Sequence, residues 1–113
     1  MSTEITYYRG DSYSKLFTIT DKATSQPIDI TGYTFTMTVD SSRNPSTPST
    51  TEIFSVAGVI TDAVNGQVTF TPTEANNDIA PKKYYYDVQM TDGSTKRTFV
   101  KDTYTITQDI TKV

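Results

Sequence analysis

From Tyr33 the chain alternates apolar and polar positions one for one: Tyr33, Phe35, Met37 and Val39 against Thr34, Thr36, Thr38 and Asp40. Consecutive side chains of an extended strand point to opposite faces, so this period of two predicts a strand buried on one side only. Tyr84, Tyr86, Val88 and Met90 against Tyr85, Asp87 and Gln89 repeat the pattern, as do Tyr104-Ile106-Gln108-Ile110 and, more briefly, Phe17 and Ile19. The solid apolar runs and intervening helical segments of a parallel α/β sheet do not occur. Turn signals punctuate the chain at Arg9-Gly10-Asp11-Ser12, Asp21 to Pro27, Thr31-Gly32, Asn65-Gly66 and Asp92-Gly93-Ser94. Between them strands are predicted over residues 4–8, 14–20, 33–40, 52–56, 58–62, 67–71, 84–91, 95–101 and 103–110. About seven to nine short strands at this spacing make an all-β, two-sheet antiparallel sandwich of immunoglobulin type, with a small closed β-barrel as the alternative.

Local detail sharpens the picture in three places. Asn65-Gly66 predicts a hairpin; a three-residue loop over Val64-Asn65-Gly66, with Gly66 left-handed, sets Phe70 opposite Ile60, whereas a two-residue loop sets it opposite Thr61. Placing two large apolar side chains on one face favours the first. Thr73 is the N-cap of the one plausible helix start, over Pro72 to Asp78, for no more than one or two turns. Residues 41–51 (Ser-Ser-Arg-Asn-Pro-Ser-Thr-Pro-Ser-Thr-Thr) bury nothing apolar beyond two prolines and read as a long exposed loop within a single domain spanning residues 1–113.

Composition agrees with strands and closes off most chemistry. The 113 residues hold 23 Thr, 9 Ile, 8 Val and 8 Tyr against one Leu and 5 Ala, which favours pleated surfaces over helices. Cysteine, histidine and tryptophan are absent, which excludes disulfides, thiol nucleophiles, Ser-His-Asp triads, His-ligated metals and the antibody Cys-Trp-Cys signature. The net charge of −3 offers no basic surface for phosphate backbones or anionic lipid, and no apolar run spans a membrane. Met1-Ser2-Thr3-Glu4 lacks the basic and hydrophobic regions of a signal peptide. The ten Asp sit at turns and strand ends, where Asp caps its own backbone; neither Asp62 to Gly66 nor Asn76-Asn77-Asp78 has the ligand spacing of a calcium loop. No catalytic residue, cofactor or metal is therefore expected. Arg9-Gly10-Asp11 spells an integrin-binding tripeptide but reads as a β-turn between two strands. The Thr-x-Thr rows read as solvated sheet faces, because an ice-binding lattice needs an internal repeat that the chain lacks.

The tyrosines carry the most information about partners. Tyr7-Tyr8 and Tyr84-Tyr85-Tyr86 cannot all point inward, so Tyr85 and one of the first pair are left outside. Exposed tyrosine is typical of protein interfaces, and stacking on nucleic acid lacks the basic groove it needs. Tyr85, Tyr8 and the loop residues Arg43, Asn44 and Thr47 are the candidate partner contacts; Gly10, Asp11, Gly32, Asn65, Gly66 and Gly93 are assigned to turns.

Tyr7-Tyr8-Arg9-Gly10-Asp11-Ser12, then Phe17-Thr18-Ile19, then Pro27-Ile28-Asp29-Ile30-Thr31-Gly32 resemble the opening of small immunoglobulin-like proteins of tailed bacteriophages. The likeness continues through Gly66-Gln67-Val68-Thr69-Phe70, Tyr84 to Met90 and Thr105 to Thr111, and is similar in character to the N-terminal domain of phage baseplate upper proteins. It covers nearly the whole chain outside the 41–51 loop; Pro81-Lys82-Lys83 stands where a glycine is common before the tyrosine strand. The resemblance implies a non-enzymatic virion component of tail, baseplate, neck or capsid surface. It would fold in the host cytoplasm without a signal peptide and bind other virion proteins in multiple copies on a symmetric ring or shell. Nucleic acid, membrane and small-molecule substrates are not expected partners. The alternative is a host-recognition module that binds surface glycan or envelope protein through Tyr85 and the 41–51 loop.

Overall fold

The computed structural model describes residues 3–21, 23–46, 50–108 and 110. In chain order the elements are β1 (Ile5–Tyr8), β2 (Lys15–Thr18), β3 (Thr34–Asp40), β4 (Glu52–Ala57), β5 (Val59–Asp62), β6 (Gln67–Phe70), α1 (Glu74–Asn77), β7 (Lys82–Thr91) and β8 (Lys96–Thr107). They form an all-β sandwich with a five-stranded sheet ordered β1-β8-β7-β3-β4 and a three-stranded sheet ordered β2-β6-β5. Every pairing among the described strands is antiparallel except β1 with β8, which run parallel with Ile5 beside Tyr104 and Tyr8 beside Thr107.

The period-two faces sort as the sequence predicts. Phe35, Met37 and Val39 of β3, Tyr84, Tyr86, Val88 and Met90 of β7, and Tyr104 and Ile106 of β8 are buried, and they meet Phe17, Val68 and Phe70 of the smaller sheet. Phe17 spans the layers, its ring 5.8 Å from Phe70 and 6.3 Å from Tyr86. Each such side chain contributes about 1.5–3 kcal/mol on burial, which makes this shared interior the main stabilising term.

Two glycines let the layers close. Gly58 alone carries the chain from β4 in one sheet to β5 in the other, donating its N–H to Phe35 O at 2.9 Å. A Cβ there would stand 2.8 Å from Val68 Cγ2 and 2.9 Å from the Phe70 ring, so only hydrogen fits. Gly66 has φ +70°, and a Cβ would stand 2.7 Å from Ile19 O and 2.8 Å from Ile28 O. Its own carbonyl accepts from Ile19 N–H at 2.8 Å, pinning the hairpin tip to the end of β2.

Besides the parallel β1–β8 pair, where the sequence reading expects antiparallel sheets, three details differ from it. The β5–β6 hairpin takes neither proposed register: Val59 pairs with Thr69 and Ile60 with Val68, which leaves Phe70 beside Gly58. Gly66 is left-handed as expected, but the loop is longer (Ala63 to Gly66) and a bulge between Ile60 and Asp62 absorbs the difference. The strands expected over 95–101 and 103–110 are one strand, β8. The ten-residue β7 supplies a partner along its length, and a bulge opposite Val88 and Gln89 takes up the change of register. Asp102, which reads as a break, is held inside the strand as its carboxylate accepts from Thr3 Oγ1 at 2.5 Å and Thr103 N–H at 2.7 Å. The strand stops at Thr107, so Ile110 lies outside it and is 97% exposed.

The helix forms where expected. Thr73 Oγ1 accepts from Asn76 N–H at 3.1 Å and Asn76 Oδ1 accepts from Thr73 N–H at 2.9 Å, a reciprocal cap on a single turn. That turn delivers Asn77 into the interior with no exposed surface. Its Nδ2 donates to Asp11 O at 2.5 Å, its Oδ1 accepts from the Tyr104 hydroxyl, and its carbonyl accepts from Gly10 N–H at 3.0 Å.

Candidate protein-binding surface

Strands β3, β7 and β8 turn their polar faces outward together, and register decides which side chains meet. Asp40 pairs with Tyr85 and Thr38 with Asp87; across β7, Tyr85 pairs with Thr103 and Asp87 with Lys101. The loop after β3 then folds over this face. Its base is closed by Ser42 N–H and Thr51 Oγ1, both donating to Asp40 Oδ1, at 2.8 and 2.5 Å, and by Ser41 N–H donating to Thr51 O at 3.3 Å. Further along, Lys101 Nζ donates to Asn44 Oδ1 at 3.1 Å, drawing the loop toward β8. The result is a groove of about 490 Å³ with Tyr85, Asp87, Arg43, Lys101, Asp40 and Glu52 among its walls. An adjoining cavity of about 330 Å³ is lined by Arg43, Asn44, Tyr85, Lys101, Asp102 and Thr103.

The electrostatics of the groove are mixed. Burial raises the Asp87 carboxyl above the ordinary aspartate range and the Lys101 charge pulls it partly back. Lys101 is engaged by Asn44 instead, and no hydrogen bond or ion pair reaches Asp87 from the described residues. Asp102 is lowered, first by the Thr3 hydroxyl, then by Thr103 N–H, with a smaller contribution from Arg43. Tyr85 is half-buried in the groove wall, a rigid ring with water on one side. Such a surface can hold a partner by aromatic contact and charge-assisted hydrogen bonds.

Of the five candidate contacts, the structure brings Tyr85, Arg43 and Asn44 to one place. Tyr8 lines neither cavity; it is 52% exposed near the far end of β1, while Tyr7 turns inward to stack on Tyr13 at 4.2 Å. Thr47 lies outside the described residues. Gly10, Gly32, Gly66 and Gly93, which the sequence reading assigns to turns, all have left-handed backbone angles. Arg9-Gly10-Asp11 is a turn closed by Asp11 N–H to Tyr8 O at 3.2 Å, with Arg9 Nε paired to Asp78 at 3.0 Å and the Asp11 carboxylate accepting from Tyr13. Asn65 caps its loop through Asp62. Sequence reasoning missed Asp87 and Lys101. Asp87 was recoverable, since it shares the Tyr85 face at i+2; Lys101 joins only through the β7–β8 register. Among the described residues, no three acidic side chains converge as a metal site would require.

The family model for the BppU N-terminal domain, the N-terminal domain of baseplate upper proteins, matches residues 1–85. The chain belongs to that family. The match takes in β1 through the first residues of β7, Tyr85 included, so the baseplate domain family covers most of the groove while β8, with Lys101, lies beyond it. Membership makes this a phage baseplate-type structural domain. Among solved structures, the N-terminal domain of phage TP901-1 ORF48 is similar over 95% of this chain and 83% of that one, at 12% identity and a TM-score of 0.48. No curated protein matches this chain.

Proposed function

We propose that the protein is a non-enzymatic assembly subunit of a phage tail or baseplate, holding other virion proteins in a multi-copy symmetric arrangement. Family membership over residues 1–85 is the observation that carries this reading. The Tyr85 groove fits it, because it offers a large rigid aromatic, a charged lining and a roof tied down by Asp40 and Lys101. Such a subunit folds in the host cytoplasm and takes its place in the virion, with no part for nucleic acid, membrane or small-molecule substrate.

The test is incorporation into particles. Tyr85→Ala leaves the interior intact and removes a groove wall, so folding is retained. Truncating an interface tyrosine costs about 1–3 kcal/mol, roughly a 5- to 150-fold loss of affinity, and occupancy of the particle falls accordingly. Full incorporation of Tyr85→Ala defeats the groove as the contact face. Absence of the wild-type chain from purified particles, with binding to isolated host envelope instead, defeats the assembly reading and favours host recognition.

A further inference from the structure

Among the described residues the sandwich has four edge strands, and they are not equally protected. β1 and β2 are four residues each, and β2 opens with Lys15; short strands and edge lysines are the ordinary defences against unwanted pairing. β5 is as short, but β4 and β5 taken together are different. They run on through Gly58 from Glu52 to Asp62, and the nine positions between those two acids, Ile-Phe-Ser-Val-Ala-Gly-Val-Ile-Thr, contain no charge and no proline. Ile53 and Val59 stand exposed along it, at 38% and 65%.

The backbone on this edge is open as well as unguarded. Gly58 N–H donates to Phe35 O directly opposite, which makes that pair hydrogen-bonded. Alternation along an antiparallel ladder then makes Met37–Val56 and Val39–Phe54 hydrogen-bonded pairs, and Thr38–Ser55 and Thr36–Ala57 the others. Ser55 and Ala57 therefore aim their N–H and C=O groups away from β3. The loop over residues 41–46 does not cover them, since it leans the other way, across β7 and β8.

We propose that the β4–β5 edge is completed by an extended segment of a neighbouring protein, uncharged in its middle and basic at its ends. Glu52 and Asp62 bracket the open stretch and select that charge pattern. A second copy of the chain pairing antiparallel over the full edge would set Glu52 against Asp62, like charge against like charge, which disfavours it. The inference rests on the assembly reading for the identity of the neighbour, but the edge itself is testable without a particle.

The probe is a synthetic eleven-residue peptide with lysine at both ends and alternating Thr/Val over the nine positions between, which matches the span from Glu52 to Asp62; it is compared with the same peptide ended by glutamate, and the readout is amide hydrogen exchange in the purified chain. The lysine-ended peptide slows exchange at Ser55 and Ala57 by about tenfold or more and the glutamate-ended one does not. Ser55→Pro removes an N–H that β3 does not use and abolishes the protection while the fold, read by circular dichroism, is retained; Ala57→Lys is a second blocking variant that keeps every backbone group. No slowing by either peptide overturns the proposal, as does equal slowing by both, or concentration-dependent dimerisation through this edge without peptide. Failure of the assembly reading looks different: the lysine-ended peptide protects the edge, yet the wild-type chain is absent from purified particles.

Discussion

Replacing Asn77 by alanine removes the side chain that ties the helix turn, the β1–β2 turn and β8 together. In the native protein its amide donates to Asp11 O and its oxygen accepts from the Tyr104 hydroxyl, with both Asn77 and Tyr104 at 0% exposure. Truncation strands a buried phenol and a half-buried carbonyl, groups that cost about 1–3 kcal/mol each when unsatisfied. Water can reach the Asp11 carbonyl more readily than the phenol, so the sum is about 3–4 kcal/mol. That is a large share of the roughly 5–15 kcal/mol that holds a domain of this size together. At about 4 °C per kcal/mol the melting temperature falls by about 12–16 °C. Tyr104→Phe removes only the donor and costs about 1–2 kcal/mol. The double variant falls short of additivity by about 1–2 kcal/mol, because with the hydroxyl gone Asn77 truncation strands only the carbonyl. Urea unfolding followed by circular dichroism measures all three, with unchanged m confirming that the unfolded state is not altered. A loss below about 1 kcal/mol for Asn77→Ala, or strict additivity in the double variant, refutes the reasoning.

Gly66→Ala combines a left-handed backbone with a Cβ forced against two carbonyl oxygens, and lowers stability by about 2–4 kcal/mol in the same assay. Asp87→Asn raises the melting temperature slightly at neutral pH. Burial raises the Asp87 pKa, so its contribution is favourable below the usual value near 4 and lost as pH climbs through the folded value; the gain from Asn accordingly vanishes in acid. Tyr84, Tyr86 and Tyr104 are all raised, chiefly by burial, so the stability they lend is complete below about pH 10 and drains away above it. Phenolate absorbance and circular dichroism followed together on an alkaline titration show these three ionising with unfolding; ionisation well ahead of it contradicts their burial.

Alternation was enough to place Tyr84 and Tyr86 inside and Tyr85 outside, because that sorting depends only on strand geometry. The Thr73 cap was legible for the same reason: its partners lie within one turn. What escaped depends on contacts distant in sequence. Asp102 reads as a strand breaker until Thr3, 99 residues away, satisfies its carboxylate. Asn77 sits in a polar run that suggests a surface turn, and only the docking of that turn on Tyr104 shows that it is interior. Likewise Lys101 reaches the groove through a register that no local pattern encodes, while the hairpin register turned on a bulge that two apolar side chains facing each other could not foretell.

The parallel alignment of β1 with β8 sets how the protein bears tension. A pull that draws Ile5 and Thr107 apart runs along both strands, so it loads the rungs from Ile5–Tyr104 to Tyr8–Thr107 in shear, all at once, and does not peel them singly. Arg9 N–H to Thr107 O at 2.8 Å and the Tyr86 hydroxyl on Thr3 O clamp the two ends of that short ladder. Stretched in this direction the domain behaves as a stiff link that yields abruptly, a mechanical character suited to a part through which load is transmitted.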